Sequence, residues 1–185
     1  MRRILLLSFL ILAGLSACSS CGHEPARVHD PSQAQARRDS MQNRRIEGHR
    51  EFLKEERASI EAFSLAKDWQ LESTGTGLYI KVFRNNQANT PKAVIGDKVY
   101  ALWYPMLLDG TKLYSDSSNQ QISWRVEKEE AVAIGLHEVV KMMSPGDSAR
   151  LVLPSHLAYG VAGINDKVPM RSALAGRILL IEVEQ

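Results

Sequence analysis

Apolar positions along this chain follow three successive rhythms. Ile4 to Leu15 form an almost unbroken apolar run behind Arg2 and Arg3. At about 1.5 Å per residue such a run is too short to cross a ~30 Å hydrocarbon core as a helix, so residues 1–17 are expected to be a signal segment. Residues 18–38 are polar, contain Pro25 and Pro31 and lack periodicity, which predicts a flexible tether. Over residues 39–72 the composition turns to helix formers, and from Asp39 to Asp68 Ile46, Leu53 and Ile60 recur every seven residues beside Phe52, Phe63 and Trp69. Two readings of this helical spacer stand: one stripe packed on its own domain, or a short dimerising helix.

After Ser73-Thr74-Gly75 the period becomes two. Leu78, Ile80 and Val82 alternate with Tyr79, Lys81 and Phe83, predicting a strand, and Asp97 to Leu108 predicts a second one ending at the turn Asp109-Gly110. Lys112 to Ser115 and Ile122 to Val126 are short strand candidates. Val132, Leu136, Val139, Val140 and Met143 fall at helical spacing, with Gly135 as an alternative start of the helix proper. Ser144-Pro145-Gly146-Asp147 suits a type II turn. Ala149, Leu151 and Leu153 then alternate with Arg150 and Val152 until Pro154, and Ile178 to Val183 predicts a last strand. Many strands, one short helix and no strand–helix–strand alternation predict an antiparallel α+β domain over residues 73–185, able to unfold cooperatively without the spacer.

Charge narrows the partners. The chain carries 23 basic and 21 acidic residues, and removing the signal segment leaves 21 of each. Signs are interspersed, so no basic face for nucleic acid is expected. Leu15-Ser16-Ala17-Cys18 resembles the lipobox of bacterial lipoproteins, which implies cleavage before Cys18 and lipid attachment to its sulfur. Cys18 and Cys21 have C-x-x-C spacing, but lipidation consumes the first thiol and the sequence holds no other cysteine, so a redox pair is not expected. The five histidines, His23, His29, His49, His137 and His156, show no metal-ligand spacing and are expected at the surface. In the loop after Pro154, Tyr159 stands between Ala158 and Gly160. It is either a packing plug or a hydroxyl aimed at a ligand.

The order of these pieces, with a Gly-x-Gly strand, a strand ending in Asp-Gly, a helix beginning Gly-Leu-His-Glu, and "MSPGDSARLVLPSHLAYG", resembles the FKBP-type peptidyl-prolyl isomerases. The segments "YS-D", "GLHE" and "LPSHLA-G" are similar to the membrane-anchored bacterial branch associated with gliding motility. The resemblance covers about residues 74 to 185. It implies a bent antiparallel sheet wrapped around one short helix, an apolar pocket between them, and no cofactor. Tyr159 takes the place of the pocket tyrosine whose hydroxyl meets the substrate. Trp103, Leu113, Tyr114, Asp116, Val132, Ala133, Leu136 and Val168 fall at or beside the pocket positions. The strand tyrosine falls on Trp103, or on Tyr104 with one deletion. Leu136 replaces an aromatic floor, Leu113-Tyr114 replace Phe-Asp with Asp116 two residues beyond, and Gly176 replaces a pocket phenylalanine. The last change opens a wall that Gly176→Phe is expected to restore.

These features imply a lipid-anchored isomerase of weak activity that acts on proline-containing polypeptides and aids the folding of exported proteins. The expected location is the bacterial envelope, at the outer membrane facing the periplasm, with a homodimer through residues 39–68 as an option. The alternatives are a non-catalytic chaperone or interaction module on the same fold, and a structural lipoprotein.

Overall fold

The structure is a computed structural model describing residues 31–85, 91–114, 120–130, 132–164 and 166–185. Cys18, Cys21, His23, His29 and Asp116 lie outside the described residues. The chain divides into two units, Met1–Ile46 and Glu47–Gln185, with the boundary inside the first helix. What is described of the first unit is helical and almost wholly exposed, with local bonds such as Gln35 Nε2 to Asp39 Oδ1 at 2.9 Å.

Helix α1 spans Pro31–Ala66, so residues 31–38 are helical where a flexible tether was expected. Proline suits a first helical turn, where its missing N–H has no partner to lose and its fixed φ is already helical. The helix stops short of residue 72, where the spacer was expected to end. Asp68 turns to φ +50°, the Trp69 N–H returns to the Ser64 carbonyl at 3.1 Å, and the Asp68 N–H to the Leu65 carbonyl at 3.1 Å. These bonds satisfy two terminal carbonyls and swing Trp69 back onto Phe63, ring centroids 5.3 Å apart and edge-on.

Six strands follow: β1 (Glu72–Ser73), β2 (Tyr79–Phe83), β3 (Lys98–Leu107), β4 (Gln121–Arg125), β5 (Ser148–Leu153) and β6 (Leu174–Glu184), with α2 (Ile134–Lys141) between β4 and β5. They form one antiparallel sheet in the order β1-β2-β5-β6-β3-β4. The register slips between Tyr100 and Ala101, leaving an extra residue on β6 that bends the sheet locally. Three corrections concern extent. Lys112–Ser115 forms no strand among its described residues, only a single bridge from Lys112 to Met106. α2 starts at Ile134 and ends at Lys141, so Val132 and Met143 flank the helix instead of lying within it. β6 begins at Leu174, earlier than the Ile178 expected, because β5 and β3 flank it along its length and supply partners for Ala175 and Gly176.

The sheet buries both faces. On one face α2 contributes Leu136, Val139 and Val140, which pack with residues such as Leu78, Val99, Trp124, Leu151, Leu153 and Ile178. Gly135 permits this docking, since a Cβ there would stand 2.5 Å from Leu153 Cδ2. A second cluster joins Ile60, Phe63 and Trp69 to Val152, Ala173 and Ala175. Val152 alternates with Leu151 and Leu153 along β5, so the two clusters lie on opposite sides of the strand. The C-terminal part of α1 therefore packs into a core of its own domain, the first of the two readings of the spacer.

The stripe that α1 buries differs from the heptad read in the sequence. Glu56, Ile60 and Phe63 are buried and Phe52 is partly covered, a run at i, i+4, i+8 and i+11. Ile46 and Leu53 instead remain 44% and 39% exposed. A carboxylate inside the buried stripe hid the pattern.

Candidate functional site

β5 ends at Leu153, since Pro154 has no N–H to continue the ladder, and the chain enters tight turns. The Leu157 and Ala158 N–H groups return to the Pro154 carbonyl at 2.9 and 3.0 Å, and the Gly160 N–H returns to that of Ser155 at 2.7 Å. Gly160 and Gly163 take φ of +63° and +66°, which favours glycine. At Gly163 a side chain is excluded outright, because a Cβ would meet the Val168 carbonyl. Ile164 and Val168 are bridged by bonds of 2.9 and 3.0 Å, and the Arg171 N–H closes back onto the Gly160 carbonyl at 3.1 Å. Ala158 is buried against the core, and Tyr159 beside it is only half-buried.

Tyr159 and Val132 line one cleft of about 980 Å³, together with Ile134, Leu157 and Ala158. Among the described residues nothing hydrogen-bonds to the Tyr159 hydroxyl. Burial pushes this phenol above its usual value, so it stays protonated and able to donate at neutral pH. The cleft's remaining walls were not singled out from sequence. They include Thr76, Glu129, Glu130 and Glu138, of which Glu138 accepts 2.8 Å bonds from Thr76 Oγ1 and one of 3.3 Å from Thr74 Oγ1. The Gly-x-Gly and Gly-Leu-His-Glu segments thus meet at Glu138, a pairing their separate periodicities could not reveal.

The other anticipated residues are distributed around this point. Ala133, Leu136, Trp103 and Val168 are buried members of the core, and Leu113 packs partly covered against it. Burial alternates along β3 at Val99, Ala101 and Trp103, which places Trp103 inward and leaves Tyr104 half-covered. Tyr104 instead meets Tyr114 edge-on at 5.4 Å, and Lys112 lies over the Tyr114 ring.

Gly176 does not leave an open wall. A Cβ there would stand 2.7 and 2.8 Å from Trp103 Cη2 and Cζ3 and 2.6 Å from the Tyr104 carbonyl. The Trp103 indole occupies the space above the glycine, so a large residue on β3 compensates a missing one on β6. Gly176→Phe is correspondingly barred by backbone as well as by ring.

His137 is not a surface residue either. It is 8% exposed, and its Nδ1 accepts the Glu127 N–H at 2.8 Å, holding the β4–α2 connection onto the helix. Burial pushes its imidazole below the ordinary value and favours the neutral ring this bond requires. His156 lies exposed, its Nε2 3.1 Å from the Thr76 carbonyl.

Comparisons with known proteins converge on one family. The FKBP-type peptidyl-prolyl cis-trans isomerase profile matches residues 89–181. The FKBP-type peptidyl-prolyl cis-trans isomerase FkpA of Escherichia coli (strain K12) is 27% identical over 160 residues, covering 86% of this chain and 53% of that protein. This chain thus spans about half the length of that curated relative. The crystal structure of a peptidyl-prolyl cis-trans isomerase from Pseudomonas syringae pv. tomato superposes with a TM-score of 0.58 at 26% identity, covering 74% of this chain and 96% of that one. The crystal structure of Escherichia coli FkpA shares the fold at a TM-score of 0.55 and 22% identity, covering 100% of this chain and 83% of that one. With half its length matched by the profile, and with its sheet, short helix and Tyr159 loop in sequence behind that match, the chain belongs to the FKBP-type peptidyl-prolyl cis-trans isomerase family.

Proposed function

We propose that this chain is a peptidyl-prolyl isomerase of the bacterial envelope, acting on proline-containing segments of exported polypeptides. The observation that carries the reading is the Tyr159 hydroxyl, half-buried in a cleft beside Val132, Leu157 and Ala158 and unclaimed by any described residue. Rotation about an X–Pro bond meets a barrier of about 18–20 kcal/mol because resonance holds the amide planar. The twisted amide has lost that resonance and its charge separation, so surroundings that shed water favour it over the planar form. Val132, Leu157 and Ala158 supply apolar contact, and Tyr159 supplies a fixed donor to a substrate carbonyl while the bond turns. Neither a nucleophile nor a general base enters this scheme. Ala133, Leu136, Trp103 and Val168 belong to the core against which Tyr159 and Leu113 pack, and they stiffen the wall. Tyr114 and Asp116 complete the set of substrate contacts that family resemblance implies.

Lipid attachment at Cys18, following the small residues Ser16 and Ala17, would hold the domain at the outer membrane facing the periplasm. No helix among the described residues is long and apolar enough to cross a membrane. The exposed Met41, Ile46 and Leu53 of α1 favour a homodimer through that helix. A second reading, a non-catalytic binding module, is favoured by Trp103 and Leu136 lying in the buried core and not among the walls of the Tyr159 cleft, which leaves that cleft without an aromatic floor. A protease-free refolding assay decides between them, using a denatured protein whose last folding step is limited by a prolyl bond. The full chain in detergent should accelerate that step in proportion to its concentration. Binding of the unfolded protein with no acceleration would leave the second reading.

A further inference from the structure

We propose that α1 is a positioning element of the isomerase site, holding the Tyr159 loop through Glu56 and Phe52; the catalytic part of this inference rests on the functional reading above. Glu56 is 9% exposed, and its Oε1 accepts the Ser155 N–H at 2.7 Å across 99 residues of sequence. The Ser155 carbonyl in turn accepts the Gly160 N–H at 2.7 Å, and that N–H belongs to the peptide joining Tyr159 to Gly160. Two consecutive hydrogen bonds therefore run from α1 to the backbone of Tyr159. The far side of Gly160 is tied separately. Its carbonyl accepts the Arg171 N–H at 3.1 Å, and the Arg171 guanidinium lies 5.3 Å from the centroid of the Phe52 ring.

Phe52 and Glu56 are four residues apart and so share one face of α1, the face that continues into Ile60 and Phe63. The helix consequently reaches the loop on both sides of Tyr159 with residues one turn apart. A buried carboxylate on an otherwise apolar stripe is costly unless it answers a donor, and the Ser155 N–H at the start of the turns is that donor. Arg171 takes φ +55°, a left-handed conformation that is uncommon for a non-glycine residue. Neither Phe52 nor Glu56 belongs to the cluster in which Ile60, Phe63 and Trp69 cover the sheet. The pair orients a loop.

The test compares Glu56→Ala, Glu56→Gln and Glu56→Asp in the full chain. Glutamine keeps an oxygen for Ser155; alanine removes it; aspartate keeps the charge and shortens the reach. Amide exchange at Ser155 and Gly160 should rise at least about tenfold in Glu56→Ala and Glu56→Asp, the Tyr159 ring resonances should move, and Glu56→Gln should restore both. In the protease-free assay kcat/KM should fall roughly fivefold to tenfold in Glu56→Ala and return with glutamine, as small misplacements of a catalytic group produce. In a Tyr159→Phe background Glu56→Ala should add less than about twofold, because both changes act through one hydroxyl. A role confined to stability would give the same loss in either background, with Tyr159 resonances unmoved, and would overturn the proposal. Should Glu56→Ala fail to fold, the aspartate and glutamine pair carries the same comparison. If the wild-type chain shows no isomerisation, the functional reading fails alone, and the exchange and ring measurements still decide whether α1 holds the loop.

Discussion

Replacing Ile60 by Ala probes whether α1 is structural in the domain or an appendage. Ile60 is 1% exposed, and its neighbours in the cluster are Phe63, Trp69 and the sheet residues Val152, Ala173 and Ala175. A buried isoleucine truncated to alanine loses about 2–5 kcal/mol, the upper half where neighbours cannot collapse into the gap. Here the gap is bounded by a sheet on one side and by rings held at the end of α1, so about 3 kcal/mol is expected. Removing residues 31–72 altogether withdraws Ile60, Phe63 and Trp69 together. At about 1.5–3 kcal/mol for each buried side chain this is roughly 5–9 kcal/mol. Small domains hold about 5–15 kcal/mol in total. Residues 73–185 alone, expected from the sequence to unfold cooperatively without the spacer, should instead lose most of their cooperative transition, because α1 completes the second core cluster. Urea unfolding followed by circular dichroism and by tryptophan fluorescence measures both effects. An Ile60→Ala stability within about 0.5 kcal/mol of wild type, or a cooperative and undiminished transition in residues 73–185, would refute the reasoning.

Gly176→Ala should cost about 1–3 kcal/mol, because its Cβ meets the Tyr104 carbonyl at 2.6 Å; a thermal scan reads the loss, and an unchanged melting point would contradict it. Acid should weaken the fold in two windows. Burial pushes the Asp147 carboxyl up, but the Ser144 and Asn85 N–H groups and Arg84 outweigh this and hold it below the ordinary aspartate value; its stabilisation is complete above that value and is lost as pH falls through the lower folded one. His137 is depressed by burial, so its contribution is present above the ordinary histidine value and declines as pH falls from there to the folded value, and His137→Gln should flatten that slope in urea midpoints measured against pH. Cys18→Ser should move the protein out of the membrane fraction without the mass shift of lipidation, whereas unchanged detergent partitioning would reject the anchor.

The alternation of Leu78 with Ile80, of Leu151 with Leu153, and the helical spacing of Leu136, Val139 and Val140 made the sheet and α2 legible in the sequence. The turn at Gly146 was legible for the same local reason: its φ is +87° and the Asp147 N–H returns to Ser144 at 2.9 Å. The second buried face was not, since Val152 reads as an ordinary alternating position and Ala175 lies ahead of the strand expected from Ile178, until a helix remote in sequence covers both. Glu56 concealed the buried stripe of α1 because a carboxylate reads as solvated unless its partner, Ser155, is known. In the candidate site, the small neighbours of Tyr159 drew attention to it, and it lies in one cleft with Val132. The exchange of bulk between Trp103 and Gly176 was hidden because it depends on cross-strand neighbours, Pro105 pairing with Gly176 and Trp103 with Ile178.

The Tyr159 hydroxyl carries the proposed activity, and exchange spectroscopy by nuclear magnetic resonance on a short X–Pro peptide addresses it directly. Wild-type protein at catalytic concentration should raise the cis–trans exchange rate above the uncatalysed rate, on the order of one event in tens to hundreds of seconds. Tyr159→Phe, which keeps the ring and removes only the donor, should lower kcat/KM by about tenfold, equivalent to roughly 1.4 kcal/mol, with an unchanged urea midpoint. Wild-type exchange indistinguishable from buffer, or a Tyr159→Phe variant as fast as wild type, would contradict this role for the hydroxyl.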